Sequence, residues 1–349
     1  MIRIYDDTKI YVQCPRNVQS GGAELLHQLV SYLRDNGKEA YIVYYVGENR
    51  DTVPVEYQKY NIAIADKIED SDHNISVLYE TVFYQAAKDT KIQKILWWLS
   101  VDNYYRCGLN FLKVRDIAKW DKKIAIETFL RRIAYLILKG KNLFKDTIST
   151  KEFAGLDVLC AYQSEYAQHF LQANGFKEMV PLKDYINVEH CSEFTIEGRE
   201  DIILYNPKKG YEYTKKLIDA TPDLKWVALE NMSRQQLIDI MKRSKIYVDF
   251  GNHPGKDRLP RECAMNGLCI ITGSRGAAYY FEDVWIENRY KFDEKNSNIS
   301  DIAMRLRDVL KNYKNYINDF QYYRGQIVKE KEEFEMQVRE LFLNPFLKR

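Results

Sequence analysis

"KIYVDFGNHPGKDRLPRECAMNGLCIITG", residues 245–273, decides the fold. KIYVDFG is a short β-branched and aromatic run of the kind a buried parallel strand needs, and LCIITG at the other end reads the same way. Between them a helix is expected around 259–266, with Pro260 tolerated in its first turn. Strand, helix and strand in so few residues make a βαβ unit, whose strands run parallel. The connecting loop holds Gly251, His253, Gly255, Lys256, Asp257 and Arg258, so the charges gather at the carboxyl end of the strand. In an open α/β sheet that end is where ligands bind.

The same alternation continues outward on both sides. DIILYNP (201–207), a helix from Tyr211 to Ala220, LKWVALE (224–230) and a helix opened by Ser233 with Gln236 in capping-box position complete one series. An earlier series starts at KIYVQCP (9–15), passes through a helix carrying Leu25, Leu26, Leu29, Val30 and Leu33, and resumes at EAYIVYY (39–45). NIAIAD (61–66), ISVLYE (75–80), KILWWLS (94–100), DVLCAY (157–162) and a helix over 164–175 follow. The pattern restarts after residue 187. The expectation is an α/β protein of two Rossmann-like domains, 1–187 and 188–325, with a helix over 326–349 packing back toward the first. The tail from Ile299 to Leu343 reads as helical and apolar enough to cover both domains.

Composition limits what such a chain can be. Its 349 residues suit two domains of roughly 150 residues each. No segment approaches the roughly 18 unbroken apolar residues of a spanning helix, and the N-terminus lacks the basic-then-apolar layout of a secretory signal. A cytoplasmic location is expected. The six Cys show no metal-ligand spacing and read as reduced core residues. A net charge of +2 points to no nucleic-acid partner, but residues 111–146 carry ten Lys or Arg against four Asp or Glu. That stretch, "FLKVRDIAKWDKKIAIETFLRRIAYLILKGKNLFKD", interleaves cations with apolar residues. It reads either as a pair of interfacial helices meeting an anionic membrane, or as the solvated face of ordinary helices.

The strand ends of the second series are Tyr205 to Gly210, Glu230-Asn231-Met232, Gly251 to Asp257, and Gly273-Ser274-Arg275-Gly276. Gly allows close backbone approach, and Lys or Arg neutralise phosphate oxygens, so a diphosphate ligand fits this set. Glu262, four residues after Arg258, is placed to accept both hydroxyls of a ribose; an ordinary i,i+4 ion pair with Arg258 is the plainer reading. Gly21-Gly22 occupies the first βα turn of the first series, where phosphate binding is common.

Three segments together resemble the GT-B glycosyltransferases, and most of all the large retaining family 4. "SGGAELLHQLVSYLRDNGKEAYIVYY" (20–45) looks like that family's Gly-Gly loop, helix and strand. "ILYNPKKGYEYTKKLIDATPDLKWVALEN" (203–231) resembles its Lys-Gly turn, and "IYVDFGNHPGKDRLPRECAMNGLCIITGSRGAAYYFED" (246–283) its donor-binding stretch. The resemblance implies two Rossmann-like domains facing across a cleft and transfer of a sugar from a nucleotide diphosphate sugar. It implies Glu262 on the donor ribose, Lys209 on the diphosphate, Arg258 or Lys256 as a second phosphate cation, and Gly22 touching phosphate. It also implies that Asn206, Asn231, Met232 and Gly276 line the donor. The family's earlier Glu, eight residues before Glu262, is Pro254 here, and His253 and Asp257 are the nearest replacements.

The expected acceptor is a glycan or lipid-linked glycan in surface polysaccharide assembly, met by Arg16, Trp98, Asp102 and Asn103 at strand ends of the first domain. Trp97 and Trp98 are either an apolar floor for a sugar or core; Asp102 is either a reacting group or a helix cap. Lys209, Arg258 and Asp102 are the candidate catalytic residues. Neither a metal nor a cofactor is expected beyond the donor itself: Asp70-Ser71-Asp72 lies in a polar loop without strand context, and no GxGxxG follows a strand.

Overall fold

The computed structural model describes residues 2–16, 18, 20–45, 50–187 and 193–343; Cys191 and the last six residues of the expected tail helix lie outside them. Two compact units are present. One comprises residues up to Gln163, Ala167–Lys183 and the C-terminal stretch from Glu335; the other comprises Ser164–Tyr166 and Asp184–Phe334.

The first unit is built on β1 (Lys9–Cys14), α1 (Gly21–Asp35), β2 (Glu39–Tyr44), β3 (Ile75–Tyr79) and β4 (Gln93–Trp98). Helices α2 (Val101–Cys107), α3 (Val114–Trp120), α4 (Lys122–Lys139) and α5 (Thr150–Phe153) follow, then β5 (Leu159–Tyr162), α6 (Glu165–Ala173) and β6 (Met179–Pro181). The six strands are parallel in the order β2-β1-β3-β4-β5-β6. Helix α1 forms where expected because Ser20 caps it, its side chain accepting from the Ala23 amide, and because Leu25, Leu26, Leu29, Val30 and Leu33 share its buried side. NIAIAD does not become a strand. Ile62 to Ala65 are only half-buried, Asn61 and Asp66 are exposed, and the segment contributes a single bridge, Ile42 to Ile64, outside edge strand β2.

The second unit runs β7 (Ile202–Tyr205), α7 (Tyr211–Ala220), β8 (Lys225–Ala228), α8 (Arg234–Arg243), β9 (Ile246–Asp249), α9 (Arg258–Met265), β10 (Cys269–Gly273) and β11 (Lys291–Phe292). Its tail holds α10 (Ile299–Lys311), α11 (Tyr313–Tyr316) and α12 (Gln321–Val338). The sheet order is β11-β10-β9-β7-β8, all parallel. The capping box read from Ser233 and Gln236 is present at the start of α8. Tail residues Ile302, Leu306, Phe320 and Tyr323 join the same core as Ile203, Tyr247 and Ile270, which is why the tail is apolar. None of the described helices is long and apolar enough to cross a membrane.

Candidate functional site

The parallel strands of the second unit deliver their loops to one edge, and glycines lock those loops together. Gly210, at φ 61°, caps α7, and a Cβ there would lie 2.2 Å from the Phe250 carbonyl oxygen. Gly276, at φ 56°, would meet the His253 carbonyl oxygen at 2.1 Å. Both positions therefore exclude any side chain. Glycine at this edge serves loop-on-loop contact: the β7 and β10 loops each press on the loop after β9.

Inside that locked edge lies a chain of alternating charges. Lys209 Nζ is 2.6 Å from Asp257 Oδ1, and Asp257 Oδ2 is 3.1 Å from His253 Nδ1. The other imidazole nitrogen stands 3.6 Å from Asp249 Oδ1. Asp249 in turn accepts from the Tyr247 hydroxyl and the Gly251 amide, each at 2.8 Å. Burial by itself would lower the His253 pKa, but Asp249 and Asp257 outweigh it and raise it. Burial would likewise raise the Asp257 carboxyl; its bond with His253 and the Lys209 charge hold it far below the usual carboxylate range instead. His253 sits at φ 45°, a left-handed conformation that a non-glycine residue adopts only when its surroundings enforce it. Asp249, His253 and Asp257 are close enough to share a metal ion, yet both imidazole nitrogens face carboxylates and a lysine already stands on Asp257.

Two expected donor contacts are corrected. Lys256 does not face a phosphate: its side chain is 1% exposed, its ammonium is 2.8 Å from Glu330 Oε1, and it lies over the Trp285 ring. Arg261 completes this cluster, with Nη1 2.7 Å from Glu330 Oε2 and Nη2 2.6 Å from Asp184 Oδ2. Burial pushes the Asp184 carboxyl up, but the Arg261, Lys256 and Arg258 cations bring it below its ordinary value. This cluster joins α9 to α12. The second correction concerns His253, which is 1% exposed and turned between Asp249 and Asp257 rather than outward to a sugar.

Glu262, on α9, is buried, with Oε2 3.0 Å from Nη1 of Arg234 at the start of α8. Asn231 and Met232 lie in the turn leading into α8, Asn231 at φ 54°. Asn206 accepts from the Lys208 amide and shapes the turn that presents Lys209. Arg275, just before Gly276, donates to the Phe250 carbonyl and pairs with Glu294. Arg258 is half-buried at the first position of α9. A cavity of about 350 Å³ opens at this edge, lined by Lys208, Gly210, Tyr211, Lys216, Arg275 and Glu294 among others; it borders the Lys209 turn and does not take in Glu262.

In the first unit, Trp98 is completely buried against Tyr104, Phe170 and Phe176, so it is core and not a floor for a sugar. Trp97 is buried too, its indole donating to the Leu182 carbonyl. Helix α2 is capped by Ser100, and Asp102 in its first turn accepts from the Trp120 indole at 3.2 Å. Asn103 donates to Glu80. Arg16 holds Thr52 through its carbonyl and hydroxyl. A Cβ on Gly22 would make only ordinary contact, 3.5 Å from Leu99. The residue that reading of the sequence missed is Glu80. It is fully buried immediately after β3, accepts from the Leu99 amide at 2.9 Å, and is pushed up to about 7 by burial. A carboxylate ending the apolar run ISVLY was the signal. Arg234, Asp184 and Glu330 gave no comparable sign, since their partners are distant in sequence.

The sequence matches no family model and no curated protein. Solved structures do match over nearly the whole chain. Sucrose-phosphate synthase from Thermosynechococcus elongatus is 10% identical, with a TM-score of 0.62 over 96% of this chain and 98% of that one. HepE of Anabaena in complex with UDP is 9% identical, with a TM-score of 0.56 over 95% and 99%. WaaG, a glycosyltransferase involved in lipopolysaccharide biosynthesis, is 10% identical, with a TM-score of 0.55 over 94% and 99%. The fold is GT-B. At such identities the likeness is one of fold, and in a GT-B chain the cationic strand ends described above belong to the second of its two Rossmann-like domains.

Proposed function

We propose that this protein is a glycosyltransferase that moves a sugar from a nucleotide diphosphate sugar onto a glycan or lipid-linked glycan, with retention, as a family 4 enzyme of surface polysaccharide assembly. The observation that carries the reading is Lys209: a half-exposed ammonium, fixed by Asp257, at the carboxyl end of β7 in a GT-B fold. Lys209 stabilises the leaving diphosphate, Arg258 adds a second cation, and Glu262 takes the ribose hydroxyls beside Asn231 and Met232. Asn206 and Gly276 complete the donor contacts, and in the first unit Arg16 and Asn103 are the residues for an acceptor, Asp102 being buried against Trp120.

In a front-face transfer the acceptor oxygen bonds to the anomeric carbon as the sugar–phosphate bond breaks, and the acceptor proton passes to the departing phosphate. Such a step needs charge stabilisation around the diphosphate more than a strong base. Asp257 keeps Lys209 at the site before the donor arrives, so its orientation costs little when the phosphate replaces part of that contact. No metal is assigned a role.

A second reading, a GT-B protein that binds glycans without catalysis, is favoured by Pro254 standing where the family places a carboxylate and by the burial of Lys256. Calorimetry with UDP, GDP, CMP and ADP, followed by assay of nucleoside diphosphate release from the matching nucleotide sugars, separates the two. Binding of one nucleotide with release above background supports transfer. Glycan binding with no nucleotide binding supports the second reading.

A further inference from the structure

Helix α4 presents its most apolar side to solvent. It is a well-defined helix, capped by Asp121 through the Lys123 and Ile124 amides and closed by Gly140 at φ 63°. The side turned to the protein is narrow and partly polar: Ala125, Thr128 and Arg132. Arg132 donates to the Leu109 and Leu112 carbonyls and anchors the helix. By contrast Ile126, Leu130 and Ile137 are 60%, 60% and 75% exposed, and Phe129 and Leu136 are exposed beside them. Spacings of three, four and seven residues put these five on one stripe. From Ala134 to Gly140 every residue is exposed.

The sequence allowed a pair of interfacial helices here, and the structure leaves one. In α3, Ile117 is buried and Trp120 stacks on Tyr105 with ring centroids 5.3 Å apart, so that helix belongs to the unit's core. The apolar stripe of α4 is bordered by exposed Lys122, Lys123, Arg131, Lys139 and Lys141, against the single acidic side chain of Glu127 within the helix.

We infer that α4 is a docking helix for an anionic lipid surface, lying in the plane of the interface with Ile126, Phe129, Leu130, Leu136 and Ile137 among the acyl chains. Charge selects the occupant. A cationic border around an apolar stripe complements phosphate headgroups over hydrocarbon, whereas a second copy of this helix would set cations against cations. The inference stands apart from the transfer reading, since docking needs no sugar chemistry.

The test is flotation of the full chain with vesicles of phosphatidylcholine alone and of phosphatidylcholine mixed with phosphatidylglycerol. Binding is expected to rise with the phosphatidylglycerol fraction and to fall with added salt. The double substitution Leu130→Glu and Ile137→Glu is expected to weaken binding at least about tenfold while leaving the melting temperature unchanged, because both side chains are solvent-exposed. Met304→Glu, at an exposed apolar position on α10, is expected to bind as the parent does. Absence of binding to mixed vesicles, binding indifferent to the double substitution, or an equal loss with Met304→Glu would overturn the inference. So would self-association abolished by the double substitution in a chain that ignores vesicles.

Discussion

Lys209 and Asp257 are 48 residues apart in the chain and 2.6 Å apart in space, and Asp257 is itself held by His253. The ammonium at the β7 turn is thus oriented by a carboxylate at the β9–α9 turn. Lys209→Ala is expected to lower kcat by about 10²-fold or more while nucleotide affinity falls much less, because its charge matters most as the leaving phosphate develops its own. Single-turnover kinetics beside nucleotide titration checks this; an unchanged rate removes Lys209 from the mechanism.

Asp257→Asn keeps the shape of that link and removes its charge. Lys209 then loses its anchor and His253 one of the two carboxylates that raise its pKa. In the parent, the imidazolium's contribution to stability is fully present below the unfolded histidine value near 6.5 and is lost as pH rises through the higher folded value. The variant should lose that contribution at lower pH. Thermal melts between pH 5 and 9 read the displacement, and identical profiles for parent and variant would refute the link.

Glu262→Ala is expected to weaken nucleoside diphosphate binding by about 1.5 to 3 kcal/mol, the worth of hydrogen bonds to a charged group. Its partner Arg234 is substantially exposed, so the loss of their ion pair should cost at most about 1 kcal/mol of stability. Calorimetric titration with the nucleotide that the parent binds is decisive, and unchanged affinity sinks the ribose assignment.

Glu80 supplies a pH signature of the same sign in a more acidic window. Its carboxyl is raised to about 7, so the folded protein binds the proton more tightly than the unfolded chain. Stability from this group is greatest below the unfolded value near 4.5 and declines as pH rises toward 7, by an amount on the order of 3 kcal/mol at most. Glu80→Gln should flatten denaturant stability across that interval. Retention of the full slope would show that another group produces it.

Glu330→Gln leaves Lys256 and Arg261 without their shared carboxylate inside the core. Breaking a buried pair on one side costs about 3 to 5 kcal/mol, so a clear fall in melting temperature is expected. Lys256→Met should alter stability and leave nucleotide affinity intact; a selective loss of affinity would return Lys256 to the donor site.

The two βαβ series were legible because strand and helix periodicity is local. Strand ends follow from strands, so the positions of Lys209 after β7 and Asn231 after β8 could be read from the sequence. What escaped was the pairing. Lys256 and Arg258 are two residues apart and both cationic, yet one turns into the core toward Glu330 while the other stays half-buried at the head of α9. Nothing in the spacing of NHPGKDR distinguishes them, since the choice depends on α12, some 70 residues later. Trp98 likewise reads as floor or core until Phe170 and Phe176 are seen against it.

The glycine contacts at the β7 and β10 turns also bear on which positions of this edge tolerate substitution. Gly210 and Gly276 touch neighbouring backbone, so substitution there dislocates three loops at once instead of reshaping one. Lys208 and Asn231 sit exposed on the same edge. Variation at this edge therefore has room at Lys208 and almost none at Gly210 or Gly276, even though the glycines stand out most in the sequence.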